Sequence, residues 1–401
     1  MDATQRARQR LAELEAAGLL RRSPAVAKRR GVHYELDGQP VVGFCSNDYL
    51  GLADDPSLRQ ASGAPSGSGS SRLICGDLGQ HRAVELQLAS LAGTADAVLF
   101  PSGFQLNVGV LPTLLEPNDR VDSDALNHAS LIDGMRLARA RPTIMPHGQV
   151  PAPGPTSTDA VHWWITESIF SMDGDRLDPE AARTHLGRGA AMLVDEAHAI
   201  GLFPGGHGWL GHHDIRPTVL VGTLSKAFGC AGAFVAASRP LCSLIRNRSR
   251  SFVFSTGMSP VLAVRIGRAV ELVTSDRGEE LRDRLWSNIQ HLGRALDLPD
   301  PALPSPIVPI VVGDNGRALE LASRLLERGW HVQAIRPPTV PMGTARLRLT
   351  VTAAHEPSQI DGLVGDLRAL MKEQGLPLHI ERGRAPTPEP TPVTHRTRRP
   401  A

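Results

Sequence analysis

The residues able to do chemistry in this 401-residue chain recur at one kind of place. The most telling is the stretch Thr223-Leu224-Ser225-Lys226-Ala227-Phe228-Gly229, which follows an apolar β-branched run at residues 218–221. Such a run reads as a buried strand giving way to a polar turn. The turn carries two hydroxyls, Thr223 and Ser225, and one amine, Lys226. Lysine condenses with carbonyl groups to Schiff bases, and ligands of open α/β sheets gather at the carboxyl ends of strands. Alone, a lysine after a strand reads as solvated surface charge. Here it has company: Ser102 with Gly103 and Phe104, His128, Ser171, and Asp195 with His198 all follow strand-like runs in the same way. The N–H groups at the start of a helix opening at Gly103 and Phe104 suit a phosphate.

The elements that have to position these groups follow from periodicity. Strands are expected at residues 97–100, 119–122, 161–166, 190–194 and 218–221, with helices at 81–92, from 101 to about 115, and from 127 onward. Strand and helix alternate between residues 97 and 236, which predicts an α/β fold with a mostly parallel sheet and helices on both faces. Residues 2–22 predict an amphipathic helix, and residues 41–44 a short strand. Beyond residue 270 the pattern becomes α+β, with a strand at 307–312, a helix at 317–328, and a strictly alternating run at 346–351 that reads as a half-buried antiparallel strand. The resulting division is an N-terminal segment at 1–45, a large domain at 46–270, a smaller domain at 271–378, and a Pro-, Thr- and Arg-rich tail at 379–401 expected to be disordered.

Composition excludes several classes. Forty-three basic against 41 acidic residues leave no field for nucleic acid. No stretch reaches membrane-spanning length and no apolar leader opens the chain, so no membrane partner is expected. Cys45, Cys75, Cys230 and Cys242 form no C-x-x-C pair and read as reduced thiols of a cytoplasmic protein. His207, His212 and His213 fit no metal template.

Asp195-Glu196-Ala197-His198, followed by the Lys226 stretch, resembles the α-oxoamine synthases, enzymes of fold type I that depend on pyridoxal 5′-phosphate (PLP). The resemblance runs from about residue 20 to 370 and includes Ser46-Asn47-Asp48-Tyr49-Leu50-Gly51, Phe100-Pro101-Ser102-Gly103-Phe104, Asn127-His128-Ala129-Ser130 and Phe170-Ser171-Met172-Asp173-Gly174-Asp175. Residues 312–315, 334–341 and 343–355 are most similar to the branch that joins L-alanine to a pimeloyl thioester with loss of carbon dioxide. Within the seven-stranded type of sheet this fold carries, the resemblance implies a role for each residue. Lys226 holds PLP and later moves the Cα proton. Asp195 pairs with the pyridine nitrogen, His128 stacks on the ring, and His198 meets the phenolic oxygen. Gly103, Phe104, Thr223 and Ser225 hold the phosphate, and Thr256 reaches the phosphate of a neighbouring subunit, which implies a homodimer with shared sites. Arg348 grips the amino acid carboxylate, Asn47 and Ser171 lie near the reacting centre, and Arg21 and Arg72 are candidates for the acyl side or surface charge. Arg346 fits a solvated sheet edge. Two segments, 54–67 and 151–158, are shorter than the family's usual helices there. The motifs leave open a glycine- or serine-using relative such as 2-amino-3-ketobutyrate ligase or 5-aminolevulinate synthase, an aminotransferase of the same fold, and the choice between coenzyme A and a carrier protein as acyl donor.

Overall fold

The computed structural model describes residues 2–21, 23–60, 63–154, 159–298, 303–378 and 380. The expected tail at 379–401 therefore lies, but for residue 380, outside the described residues, as do positions 155–158 of the proline-rich loop.

The large sheet is built from β4 (Asp96–Phe100), β5 (Arg120–Asp124), β6 (Thr143–Met145), β7 (His162–Glu167), β8 (Ala191–Asp195), β9 (Val219–Thr223) and β10 (Ala233–Ala237), preceded in the chain by β1 (Val26–Arg30), β2 (His33–Leu36) and β3 (Gln39–Gly43). Its seven strands lie in the order β4-β10-β9-β8-β7-β5-β6. β10 runs antiparallel to both β4 and β9, and the remaining neighbours are parallel. All members from β4 to β9 that flank the centre therefore point their carboxyl ends the same way.

Both faces of the sheet are covered, and the two-residue period of a strand divides each one between two cores. In β4, Val98 and Phe100 face a core with Leu106, Val110 and Leu131, while Ala97 and Leu99 face another with Leu88, Ile266 and Phe234. β9 does the same with Val219 and Val221 on one side and Leu220 on the other. This explains why the strands read as unbroken apolar runs.

The C-terminal part holds β11 (Ile307–Gly313), β12 (Trp330–His331), β13 (Gln333–Ile335) and β14 (Ala345–Thr350), with helices Asp276–Ala295, Asn315–Glu327 and Pro357–Glu373. β14 is the middle strand of an antiparallel sheet ordered β11-β14-β13. Here the sequence reading needs correction. The run read as half-buried is buried at every position, because helices and the large domain cover both of its faces. Arg346, expected at a solvated edge, is buried and ion-paired with Asp173. Alternation of polar and apolar residues signals a solvated face only when the polar residues have no internal partners.

The N-terminal segment is richer than one strand. β1, β2 and β3 form a meander, and β12 adds to it in parallel, Trp330 opposite Val42 and His331 opposite Gly43. The N-terminal helix spans Ala3–Ala16, shorter than expected, and buries none of its residues. Short 3-10 turns span Leu52–Asp54 and Pro56–Arg59. Among the described residues no helix is long and apolar enough to cross a membrane, and no cluster of three or more His, Cys, Asp or Glu side chains could hold a metal ion.

Candidate active site

The strand ends converge as expected. A cavity of about 200 Å3 is lined by Gly103, Phe104, His128, Asp195, His198, Thr223, Ser225 and Lys226. Each group arrives by a simple local device. Ser102 caps the helix Gly103–Leu114 by accepting from Gln105 N at 3.2 Å, which leaves the N–H groups at the helix start to face the cavity. His128 occupies the same capping position for the helix Ala129–Leu137, accepting from Ser130 N at 3.2 Å. Its ring lies exposed where the cavity meets a larger pocket.

Lys226 sits in a loop closed on itself between β9 and β10. Leu224 N donates to Gly232 O at 2.9 Å, Cys230 N to Leu224 O at 2.9 Å, and Gly229 N to Lys226 O at 3.0 Å. Gly229 has φ +61°, and a Cβ there would come within 2.3 Å of Ala53 N, so only glycine serves. Burial pushes the Lys226 amine down to about 8, against the opposing pull of Asp195 and Glu167. Its nitrogen is 2.8 Å from His198 Nε2. Burial, helped by the charges of Lys226, Arg348 and His128, holds His198 well below the usual imidazole range.

Asp195 is buried and held from two sides: Ala197 N donates to Oδ1 at 2.9 Å and Asn107 Nδ2 to Oδ2 at 3.0 Å. Asn107 Nδ2 also reaches Ser130 Oγ at 2.9 Å, which in turn lies 2.7 Å from His128 Nδ1. Glu167, at the end of β7, accepts from His128 N at 2.6 Å. Burial and the neighbouring Asp195 raise the Glu167 carboxyl well above the usual range, opposed by Lys226 and by the bond from His128 N. Asn107 and Glu167 were not singled out from sequence. An amide set between Leu106 and Val108 on the mostly apolar helix Gly103–Leu114 is the signal that marks the first.

Arg348 is buried beside this cavity. Its Nε donates to Ser171 O at 2.6 Å and both terminal nitrogens reach Asn47 Oδ1 at 3.2 Å. Asn47, Ser171 and Arg348 are thus brought together, with Ser171 contributing its carbonyl. A second pocket of about 590 Å3 is lined by Arg21, Ile132, Phe170, Ser171, Val340 and Arg346 among others, and it shares His128 with the first. Arg21 donates to Thr339 Oγ1 at 3.1 Å.

Two arginine and threonine candidates lie elsewhere. Arg72 is not surface charge, and it does not line the Lys226 cavity of its own chain. It is buried against Glu85 at 2.5 Å and Asp77 at 2.5 Å, with Phe252 under its guanidinium, where it ties the segment after the small-residue loop to the core. Thr256 is exposed, pairs through its backbone with Ser71, and does not line the Lys226 cavity of its own chain. His212 and His213 pack on aromatic rings and His207 bonds Leu91 O at 3.1 Å.

One charged residue braces the site from behind. His147 is clamped between Asp124, 3.0 Å from Nδ1, and Asp175, 2.5 Å from Nε2. Burial would lower it, but the two carboxylates prevail and hold it up at about 10. A raised folded value means stabilisation that is full below the unfolded value near 6.5 and is lost as pH rises through about 10. Replacing His147 by Leu leaves the buried Asp124 and the half-buried Asp175 without their cation, and about 3 kcal/mol of stability is expected to go. Urea unfolding at pH 7 and at pH 11 checks this: the difference between wild type and His147→Leu should be large at the first and shrink at the second.

Comparison with known proteins agrees with this geometry. The aminotransferase class I and II family model matches residues 39–367. The 8-amino-7-oxononanoate synthase of Anaeromyxobacter dehalogenans is 42% identical over 381 residues, covering 90% of this chain and 94% of that protein. The enzyme of the same name from Methylococcus capsulatus is 41% identical, with 88% and 95% covered. A serine palmitoyltransferase from S. paucimobilis, solved with a PLP–myriocin adduct, superposes with a TM-score of 0.84 at 26% identity over 94% of this chain and 100% of that one. The chain belongs to the class I and II aminotransferase family and, within it, to the PLP-dependent α-oxoamine synthases of the 8-amino-7-oxononanoate synthase kind.

Proposed function

We propose that this protein joins L-alanine to a pimeloyl thioester, releasing carbon dioxide and the free thiol and giving 8-amino-7-oxononanoate, a precursor in biotin biosynthesis. The observation that carries the reading is the meeting of Lys226 and Asp195 in one cavity that opens beside Arg348 and a long apolar-walled pocket.

The residues present fit PLP. The cavity offers an amine of lowered pKa for an aldehyde, a held carboxylate for a ring cation, and a helix start with two hydroxyls for a phosphate. Nothing lies within 4 Å of where a Cβ on Gly103 would stand, so the approach to those N–H groups is open. Lys226 would hold the cofactor, Asp195 its ring nitrogen, His198 its phenolic oxygen, His128 one ring face, and Gly103, Phe104, Thr223 and Ser225 its phosphate. When bound, PLP supplies the electron sink that makes the amino acid Cα–H acidic.

The chain's own residues then divide the work. Lys226, with an amine pKa near 8, can give up and take back a proton at neutral pH, as a positioned general base requires. Arg348 presents its guanidinium to a carboxylate from a site where water is largely excluded, with Asn47 and Ser171 O fixing its plane. The second pocket has an apolar wall from Ile132, Phe170 and Val340 for a methylene chain and Arg21 for a terminal carboxylate. Arg346 does not compete for that carboxylate, since Asp173 already neutralises it. Exposed Leu73, Ile74 and Phe254 surround the Ser71–Thr256 pairing, and they support a homodimer in which Thr256 serves the partner's site. Four free cysteines fit the cytoplasm.

Thiol release and carbon dioxide formation with L-alanine, glycine or L-serine against pimeloyl-CoA test the reading. Alanine should be preferred; equal or better rates with glycine would reject it. Arg348→Ala is expected to raise KM for alanine by roughly 30- to 1000-fold, the loss of two charge-assisted hydrogen bonds worth about 2–4 kcal/mol together. Steady-state kinetics with alanine varied decide it, and an unchanged KM would place the carboxylate elsewhere.

A further inference from the structure

A phenol stands behind the imidazole that faces Lys226. Tyr49, 1% exposed, places its hydroxyl 2.6 Å from His198 Nδ1, while His198 Nε2 lies 2.8 Å from Lys226 Nζ. The hydroxyl has one proton and two acceptors in reach. The other acceptor, Asn47 Oδ1, is farther away at 3.3 Å and already takes two N–H groups from Arg348. The shorter contact therefore wins the proton. An imidazole that accepts at Nδ1 carries its own hydrogen at Nε2. Burial raises the Tyr49 phenol to about 12 and keeps His198 neutral, so the phenol stays a donor and the ring has one hydrogen to place.

We propose that Tyr49 is a positioning residue that fixes His198 as its Nε2–H tautomer, so that the ring presents a donor to the Lys226 cavity. The opposite tautomer would turn a lone pair toward the cavity. That distinction matters at this spot, because the group expected opposite His198 is the phenolic oxygen of PLP, an acceptor. It matters for the amine as well: a donor at Nε2 meets the lone pair of neutral Lys226, and an acceptor would meet only the ammonium. Tyr49 thus acts on the site through His198 without lining the cavity itself. The role in the reaction rests on the function proposed above; the tautomer does not.

The experiment uses cofactor-free full-length protein labelled with 15N in its histidines, with the His198 ring signals identified by their loss in His198→Gln. The wild-type ring should show a protonated Nε2 and a bare Nδ1 at about pH 9.5, above the Lys226 value of about 8, where the facing amine is neutral and offers its lone pair. In Tyr49→Phe the two tautomers should mix or the hydrogen move to Nδ1. A wild-type ring protonated at Nδ1 overturns the proposal without any variant, as does a Tyr49→Phe spectrum identical to wild type. In the PLP-loaded enzyme, Tyr49→Phe should lower kcat about 10- to 100-fold, the usual cost of losing a partner that orients a functional imidazole, with KM for alanine changed less than twofold. An unchanged kcat overturns the proposed role. Should the condensation itself not occur, the nitrogen signals still report the tautomer, so the two failures are distinguishable.

Discussion

Lys226→Ala protein should form no product above about one part in ten thousand of the wild-type rate. Loss of a positioned base alone costs about 10²–10⁴, and here the same amine also holds the cofactor. The structure offers no deputy. His198 is the nearest titratable group at 2.8 Å, but it is held neutral and weakly basic by burial and by its positively charged neighbours. The fold should survive, since the loop around position 226 is closed by backbone hydrogen bonds that the side chain does not make. Two measurements check this. Turnover should vanish, and borohydride treatment of loaded protein should fix PLP to the peptide bearing residue 226 in wild type and to no peptide in the variant. Retained turnover within a hundredfold of wild type would remove Lys226 from the chemistry.

Asp195→Asn should lower turnover about 10²–10³-fold, the scale seen when one preorganised charge or donor is removed from a reacting centre. The substitution changes almost no volume, so the loss would report charge. It also carries a structural conflict. Asp195 accepts on both oxygens, from Ala197 N and from Asn107 Nδ2, and an amide can satisfy only one of them. The other donor is left facing a donor, which costs about 1–3 kcal/mol. Glu167 does not take over, because its carboxyl is already engaged by His128 N and burial disfavours its charged form. PLP affinity, turnover and the thermal midpoint should all fall. If turnover stays within tenfold while the midpoint drops, Asp195 is a structural carboxylate only.

Much of this arrangement could be read in the sequence, for physical reasons. Strands covered on both faces have to be apolar throughout, and a polar group at the end of such a run has little reason to be there except to serve a site. Lys226, Asp195, His128 and His198 were found that way. What escaped had no such contrast. β1 is exposed at every residue, so nothing in Val26–Arg30 alternates. β12 is two residues long and pairs with a strand far back in the chain. Arg346 and Arg348 alternate with leucines as if facing water, and only their partners Asp173 and Asn47, remote in sequence, reveal that they are buried. Tyr49 lay within a quoted motif, yet its use depends on the position of His198, which no local pattern encodes.

The closed loop between β9 and β10 sets how the essential amine can travel. With Leu224, Lys226, Gly229, Cys230 and Gly232 tied to one another, the main chain at position 226 has nowhere to go. All excursion of the nitrogen must come from twisting about the four methylenes of one side chain. Length of tether therefore counts as much as basicity, and a substitute amine on a shorter stem would hang short of its target.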